Sequence, residues 1–133
     1  MRKIEHIGIA VKDLKAANET YSKLLNTQPY KLEAVKSESV STSFFKVGDT
    51  KIELLEATSD ASAIAKYIEK RGEGIHHIAY DVLDIQVERE RLIEAGFQPI
   101  GEIKSGADNK LVCFFHPKSA NGVLVELCQE RSE

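Results

Sequence analysis

Two histidines and two glutamates stand at equivalent places in an internal repeat of this sequence. Residues 4–8 (IEHIG) return as residues 75–79 (IHHIA), which pairs His6 with His77. Residues 51–54 (KIEL) return as residues 124–127 (LVEL), which pairs Glu53 with Glu126. Imidazole nitrogens and carboxylate oxygens bind divalent first-row metals. Two halves that each supply one of each therefore predict a pseudo-twofold metal site with four ligands.

Each of these residues alone has an ordinary explanation. A strand histidine is usually hydrogen-bonded in the core, and a strand glutamate is usually solvated or paired. The coincidence of all four within the repeat favours one divalent ion, namely Zn²⁺, Co²⁺, Ni²⁺, Mn²⁺ or Fe²⁺, and the absence of thiolate ligands argues against a closed structural zinc site. His76 and His116 have no counterpart in the other half, so we interpret them as structural residues or as neighbours of the ligands. Lys118 is interpreted as a surface turn residue.

The first half predicts the elements that would position these ligands. Residues 4–11 alternate as a strand, and Asp13 is placed to cap a helix that reaches about Leu25. The apolar stripe predicted for that helix consists of Ala17, Tyr21, Leu24 and Leu25. Strands are predicted over residues 30–35, 40–47 and 51–55, with a hairpin turn at residues 48–49. Alternation along the last strand turns Glu53 away from Ile52 and Leu54.

The second half repeats the plan, with a strand over residues 75–82 and a helix from Asp84 to about residue 95. Gly96 is expected in the left-handed conformation that ends a helix. Further strands are predicted over residues 97–103, 110–116 and 122–128. The predicted fold class is α+β, in which two tandem β-α-β-β-β modules form a curved mixed sheet around a central metal cleft. One domain would contain module 1 (about 1–57), a linker helix (about 58–72) and module 2 (about 73–133).

Composition excludes several classes of function. The chain has 133 residues and is 42% hydrophobic, which suffices for one domain with a core. A net charge of −3 with mixed signs favours neither nucleic acid nor a membrane surface as a partner. No apolar run reaches the roughly 20 residues of a spanning helix, so we expect a soluble cytoplasmic protein. Cys113 and Cys128 lie in apolar runs and are expected to be buried, reduced thiols.

The paired β-α-β-β-β plan with His6, Glu53, His77 and Glu126 resembles the vicinal oxygen chelate superfamily. That superfamily includes glyoxalase I, extradiol dioxygenases, fosfomycin-resistance proteins and methylmalonyl-CoA epimerases. Four longer strings resemble the epimerase family most: EHIGIAV (5–11), VGDTKIELLE (47–56), GEGIHHIA (72–79), and HPKS (116–119) before GVLVEL (122–127). The similarity covers essentially the whole chain.

The resemblance implies an activity as well as a fold. His6, Glu53, His77 and Glu126 would be the metal ligands, and the substrate would be a small acyl-CoA. The implied reaction is metal-dependent epimerisation of methylmalonyl-CoA at C2 through a metal-stabilised enolate. Glu126 would serve both as ligand and as one acid–base group. The second acid–base group stays open, because Thr42 stands where some members carry a glutamate. A homodimer is expected by analogy.

Two alternatives share the fold. Glyoxalase I uses the same ligand types, although this chain has Ala10 where bacterial glyoxalases often place a glutathione-contacting arginine. The HPKS string also differs from the DPDG sequence common in that enzyme. A non-catalytic ligand-binding protein is the other alternative, and retention of all four ligand residues argues against it.

Overall fold

The computed structural model describes residues 1–131. Within that range the chain forms eight strands and three helices in the order β-α-β-β-β, helix, β-α-β-β-β, which confirms the two predicted modules. The elements are β1 (Lys3–Ala10), α1 (Leu14–Leu25), β2 (Lys31–Val35), β3 (Val40–Val47), β4 (Thr50–Ala57), α2 (Ala63–Arg71), β5 (Gly74–Asp81), α3 (Ile85–Glu94), β6 (Pro99–Gly106), β7 (Lys110–Phe115) and β8 (Leu124–Glu130).

The chain packs as two compact units. The first unit is made of residues 7–76, and the second unit is made of residues 1–6 together with the described residues from 77 onward. Strand β1 therefore ends in the first unit and begins in the second. The predicted limits of a single domain, with modules at about 1–57 and 73–133, stay a prediction.

The first unit is built on the antiparallel strands β2, β3 and β4. Gly48 makes the predicted hairpin turn between β3 and β4 at a φ of 62°, a left-handed conformation that glycine adopts without a steric penalty. Helix α1 packs on Phe45 and Leu54, and α2 packs on Val40 and Leu55. Successive residues Leu54 and Leu55 thus point to opposite faces of β4, as strand geometry requires.

Helix α1 begins as predicted, because the Asp13 side chain accepts a hydrogen bond from the amide of Ala16 at 3.2 Å. The predicted stripe was wrong at Leu24, which is 68% exposed, whereas Tyr21 and Leu25 pack against the sheet. Adjacent helical residues point about 100° apart, so Leu24 cannot share the direction of Leu25. Leu14 joins the buried stripe instead.

The linker helix is shorter than the predicted segment. Ser62 caps α2, and its hydroxyl accepts from the amide of Ile64 at 3.1 Å. Ile64, Tyr67 and Ile68, which recur at helical spacing in the sequence, pack in the core that contains Val40 and Leu55. No helix within residues 1–131 is long and apolar enough to cross a membrane.

The second unit has mixed strand pairing. Strand β5 runs parallel to β8, while β7 runs antiparallel to both β8 and β6. Helix α3 is capped by Asp84, and its buried residues Ile85 and Leu92 form one hydrophobic core with Val82, Cys113, Phe115 and Leu127. Gly96 follows α3 with a positive φ of 101°, as expected for a glycine that ends a helix. Leu127 faces α3, so Glu126 lies on the opposite face of β8.

Candidate metal centre

Three of the four predicted ligands meet in the second unit. His6 is on β1, His77 on β5 and Glu126 on β8, and all three side chains are buried. Parallel pairing sets Ala79 opposite Glu126, and His77 shares the face of Ala79 because it lies two residues earlier on the same strand. The register of β5 with β8 therefore places an imidazole and a carboxylate on one face.

The three side chains offer their ligand atoms to one point. The Nε2 atoms of His6 and His77 are 3.0 Å apart, and Glu126 Oε1 lies 3.0 Å from His77 Nε2 and 3.4 Å from His6 Nε2. Two imidazole lone pairs at this separation repel each other unless a proton or a cation lies between them. The three residues form a group that can hold a metal ion.

The separations match the edges of a metal coordination sphere. With metal–ligand bonds of about 2.1 Å, ligand atoms lie about 3.0 Å apart at a right angle and about 3.4 Å apart at the tetrahedral angle. Two imidazoles and one carboxylate also make a donor set typical of sites that leave positions for water or substrate. The residues present therefore fit a divalent transition metal.

The electrostatics keep Glu126 ionised. Burial on its own would raise the pKa of this carboxyl, but the adjacent imidazoles of His6 and His77 lower it by more. The net effect holds the pKa of Glu126 well below its usual range. The carboxylate form is the one that a metal ligand and a proton acceptor both require.

Glu53, the remaining predicted ligand, is buried on β4 in the first unit. Its strand register repeats that of Glu126, because Glu53 pairs with Phe44 across β3 and β4, while Glu126 pairs with Phe114 across β7 and β8. Thr42 lies two residues from Phe44 and so shares the face of Glu53. The Thr42 hydroxyl is buried and has no hydrogen-bond partner within residues 1–131.

Two side chains around the cluster were not predicted as part of it. Glu5 Oε1 lies 2.6 Å from Nδ1 of His6, and the Cys128 thiol donates to Glu126 Oε2 at 3.0 Å. Strand alternation puts Cys128 on the face of Glu126, so that contact was available from the sequence. The Glu5 contact was not, since alternation points consecutive residues to opposite faces.

The remaining histidines have local contacts. The ring of His76 meets the ring of Tyr67 edge to face with centroids 4.9 Å apart. Nδ1 of His116 accepts a hydrogen bond from the amide of Lys118 at 3.1 Å and caps a short 3₁₀ turn. These contacts agree with the interpretation of His76 and His116 as structural residues.

Comparison with known proteins identifies the family. Residues 5–114 match the family described as the glyoxalase/bleomycin resistance protein/dioxygenase superfamily. The chain belongs to this superfamily. Membership accounts for the paired modules, and the two histidines of the cluster lie on β1 and β5, the first strands of the two modules.

Several relatives of known name span nearly the whole chain. An ethylmalonyl-CoA/methylmalonyl-CoA epimerase of Cereibacter sphaeroides is 43% identical over 130 residues, covering 96% of this chain and 97% of the relative. Methylmalonyl-CoA epimerase from Mycobacterium tuberculosis is 32% identical in sequence, and its crystal structure matches with a TM-score of 0.92. The match covers 98% of this chain and 89% of that chain. A methylmalonyl-CoA epimerase solved in complex with methylmalonyl-CoA and NH₄⁺ is 31% identical, with a TM-score of 0.95. The match covers 99% of this chain and 96% of that chain.

Proposed function

We propose that this chain is a metal-dependent methylmalonyl-CoA epimerase. The observation that carries the proposal is the buried cluster of His6, His77 and Glu126, whose ligand atoms are 3.0–3.4 Å apart. The 43% identity to an ethylmalonyl-CoA/methylmalonyl-CoA epimerase supports a small acyl-CoA as the substrate. Glu53 is proposed as the fourth ligand because its strand register repeats that of Glu126.

The reaction requires removal and return of the proton on C2 of the acyl group. A divalent ion held by these residues would supply positive charge that stabilises the enolate oxygen formed when the proton leaves. Glu126 is proposed to hold and return that proton, since its carboxylate is ionised and belongs to the ligand cluster itself. Epimerisation needs proton transfer on both faces of a planar intermediate, so a second acid–base group must serve the other face.

Proton exchange in D₂O tests this function directly. Proton NMR would follow the C2 proton of methylmalonyl-CoA with metal-free and metal-reconstituted protein, and the glutathione hemithioacetal of methylglyoxal would be a parallel substrate. We expect rapid metal-dependent loss of the C2 signal and no turnover of the hemithioacetal. Turnover of the hemithioacetal alone would instead assign glyoxalase chemistry. Binding of methylmalonyl-CoA without exchange would make the chain a ligand-binding member of the superfamily.

We also propose that the protein is a homodimer, by analogy with the superfamily. Light scattering on the eluting peak of a size-exclusion column gives the mass without reference to shape. A mass of twice the 14.8 kDa chain is expected, and a concentration-independent monomer would contradict the proposal.

A further inference from the structure

Glu5 is a buried carboxylate beside the cluster of His6, His77 and Glu126. The proposed reaction gives this carboxylate no role. The residue is only 3% exposed, although it is next to His6 on an N-terminal strand. Burying a carboxylate is costly unless hydrogen bonds or opposite charge compensate for the lost water. Its Oε1 atom is 2.6 Å from Nδ1 of His6, and its Oε2 atom is 4.0 Å from Nζ of Lys110.

The contact with Glu5 determines where His6 carries its proton. A carboxylate oxygen only accepts hydrogen bonds, so Nδ1 of His6 must be the protonated nitrogen. The lone pair of the neutral ring then lies on Nε2. Nε2 is the atom that lies 3.0 Å from His77 Nε2 and 3.4 Å from Glu126 Oε1. The tautomer held by Glu5 therefore presents the correct nitrogen to the ligand cluster.

We propose that Glu5 is a positioning residue of the metal centre, which locks His6 in the Nδ1–H tautomer and strengthens Nε2 as a metal ligand. Carboxylates that hydrogen-bond metal-binding histidines act in this way generally. Lys110, whose side chain is 11% exposed, offsets the charge of Glu5 from the other oxygen. The inference rests on the metal site proposed above and assigns a function to a residue outside the repeated ligand set.

The contact between Glu5 and His6 has no counterpart at the equivalent position of the internal repeat. The residue before His77 is His76, which packs on Tyr67, so the second half has a ring where the first half has a carboxylate. The two histidine ligands are therefore not equivalent. Removal of Glu5 should weaken the contribution of His6 and leave that of His77 unchanged.

Metal affinity gives the first test. Zn²⁺ binding to purified protein would be measured by competition with a chromophoric chelator for the wild type, Glu5→Ala and Glu5→Gln. We expect a loss of about 10- to 100-fold in Glu5→Ala and a smaller loss in Glu5→Gln, because the amide oxygen still accepts from Nδ1–H. Glu130→Gln is the matched control, since Glu130 also lies 4.0 Å from Lys110 but is 75% exposed. Its affinity should equal that of the wild type.

The tautomer gives a readout that a purely structural role would not change. In ¹⁵N-histidine-labelled, Zn²⁺-loaded protein, the ring resonances of His6 should show a protonated Nδ1 and a metal-bound Nε2. Glu5→Ala should lose the slow-exchanging Nδ1–H signal of His6 while the signals of His77 stay in place. If Glu5→Ala does not fold, Glu5→Gln provides the comparison. Its Nδ1–H proton of His6 should resonate less far downfield than in the wild type, because an amide oxygen accepts a weaker hydrogen bond than a carboxylate.

Two results would overturn the inference. The first is wild-type affinity in both Glu5 variants with an unchanged Nδ1–H signal. The second is binding of the ion on the other side of the ring, because Glu5, Nδ1 of His6 and Cys128 also form a group that can hold a metal. Cobalt-loaded protein would then show a thiolate charge-transfer band that Cys128→Ser removes. Stoichiometric metal in His77→Ala would instead refute the proposed site itself, which keeps the two failures distinct.

Discussion

At the scale of single residues, the cluster depends on side chains whose charge and protonation are set by their neighbours. Oε1 of Glu126 lies 3.0 Å from Nε2 of His77 and 3.4 Å from Nε2 of His6, and the thiol of Cys128 donates to the other oxygen at 3.0 Å. Both oxygens of the carboxylate are therefore committed to contacts within the second unit. Small changes of side-chain chemistry at this position should alter reactivity without altering the fold.

Glu126→Gln tests the proposed acid–base role. A glutamine is nearly isosteric but cannot take up the C2 proton, so exchange at saturating metal should fall by at least about 100-fold. Glu53→Gln is the matched control, because an amide oxygen can still bind a metal and Glu53 is not proposed to move a proton. Exchange rates would be measured by NMR in D₂O. Wild-type exchange in metal-saturated Glu126→Gln would contradict the role.

The buried cysteines should be inert in the folded protein. Burial raises the pKa of Cys113 to about 11, and burial together with the charge of Glu126 raises that of Cys128 further. Both thiols therefore stay protonated near neutral pH, and thiolate is the form that reacts. A disulfide-exchange reagent at pH 8 should label neither residue until urea unfolds the chain. Fast labelling of folded protein would contradict the burial described.

The raised pKa of Cys113 also makes the stability of the protein depend on pH. Burial holds the pKa of the Cys113 thiol in the folded protein above the pKa of about 9 that it has in the unfolded chain. Between about pH 9 and pH 11 the thiol is ionised in the unfolded chain but protonated in the folded protein. The stability contributed by Cys113 is therefore fully present below about pH 9 and is lost as the pH rises through about 11.

At the scale of elements, helix capping and strand register explain how the side chains of the cluster are held in place. Asp84 begins α3, and its Oδ1 accepts from the amide of Val87 at 3.1 Å. The helix packs against Leu127 on the face of β8 opposite Glu126. The packing contacts of α3 and the proposed metal ligand of β8 thus lie on opposite faces of one strand.

Asp84→Ala should therefore lower stability without changing the site. Loss of a helix N-cap costs about 1 kcal/mol of unfolding free energy, while Asp84→Asn, which keeps an accepting oxygen, should cost little. Urea denaturation of both variants measures the difference, and chelator competition measures Zn²⁺ affinity. A large loss of affinity in folded Asp84→Ala would show that α3 affects the ligands.

At the scale of the whole molecule, the cluster joins distant parts of the chain. His6 and His77 are separated by 71 residues, and the N-terminal residues 1–6 pack with the C-terminal half as one unit. Arg2 strengthens this arrangement, since its Nε atom donates to Asp81 at 2.7 Å. A metal bound by His6, His77 and Glu126 would hold the first strand in place.

Metal removal should consequently lower thermal stability. A ligand that binds only the folded state stabilises it by about 2.7 kcal/mol at a free concentration of 100 times Kd. Scanning calorimetry should therefore show a higher Tm with Zn²⁺ than with a chelator. His77→Ala should abolish the shift but fold, whereas the adjacent His76→Ala should retain the shift. An equal metal-induced shift in His77→Ala would contradict the ligand assignment.

Local sequence patterns determined which residues share a face and where elements begin. Alternation placed Glu53 and Glu126 opposite the apolar face, and the capping residues Asp13 and Asp84 marked the helix starts, because these features depend only on neighbouring residues. Leu24 was misplaced because helical periodicity alone does not say which of several apolar residues marks the centre of the buried stripe.

Only the tertiary structure decided which of these residues meet. The 3.0 Å approach of His6 to His77 depends on strand register between segments 71 residues apart, which no local pattern encodes. Likewise, the contact of Glu5 with Nδ1 of His6 departs from simple alternation, because a flexible carboxylate side chain can bend toward its neighbour's ring. Types and faces of residues are local properties of a chain, whereas distances between them follow from long-range packing.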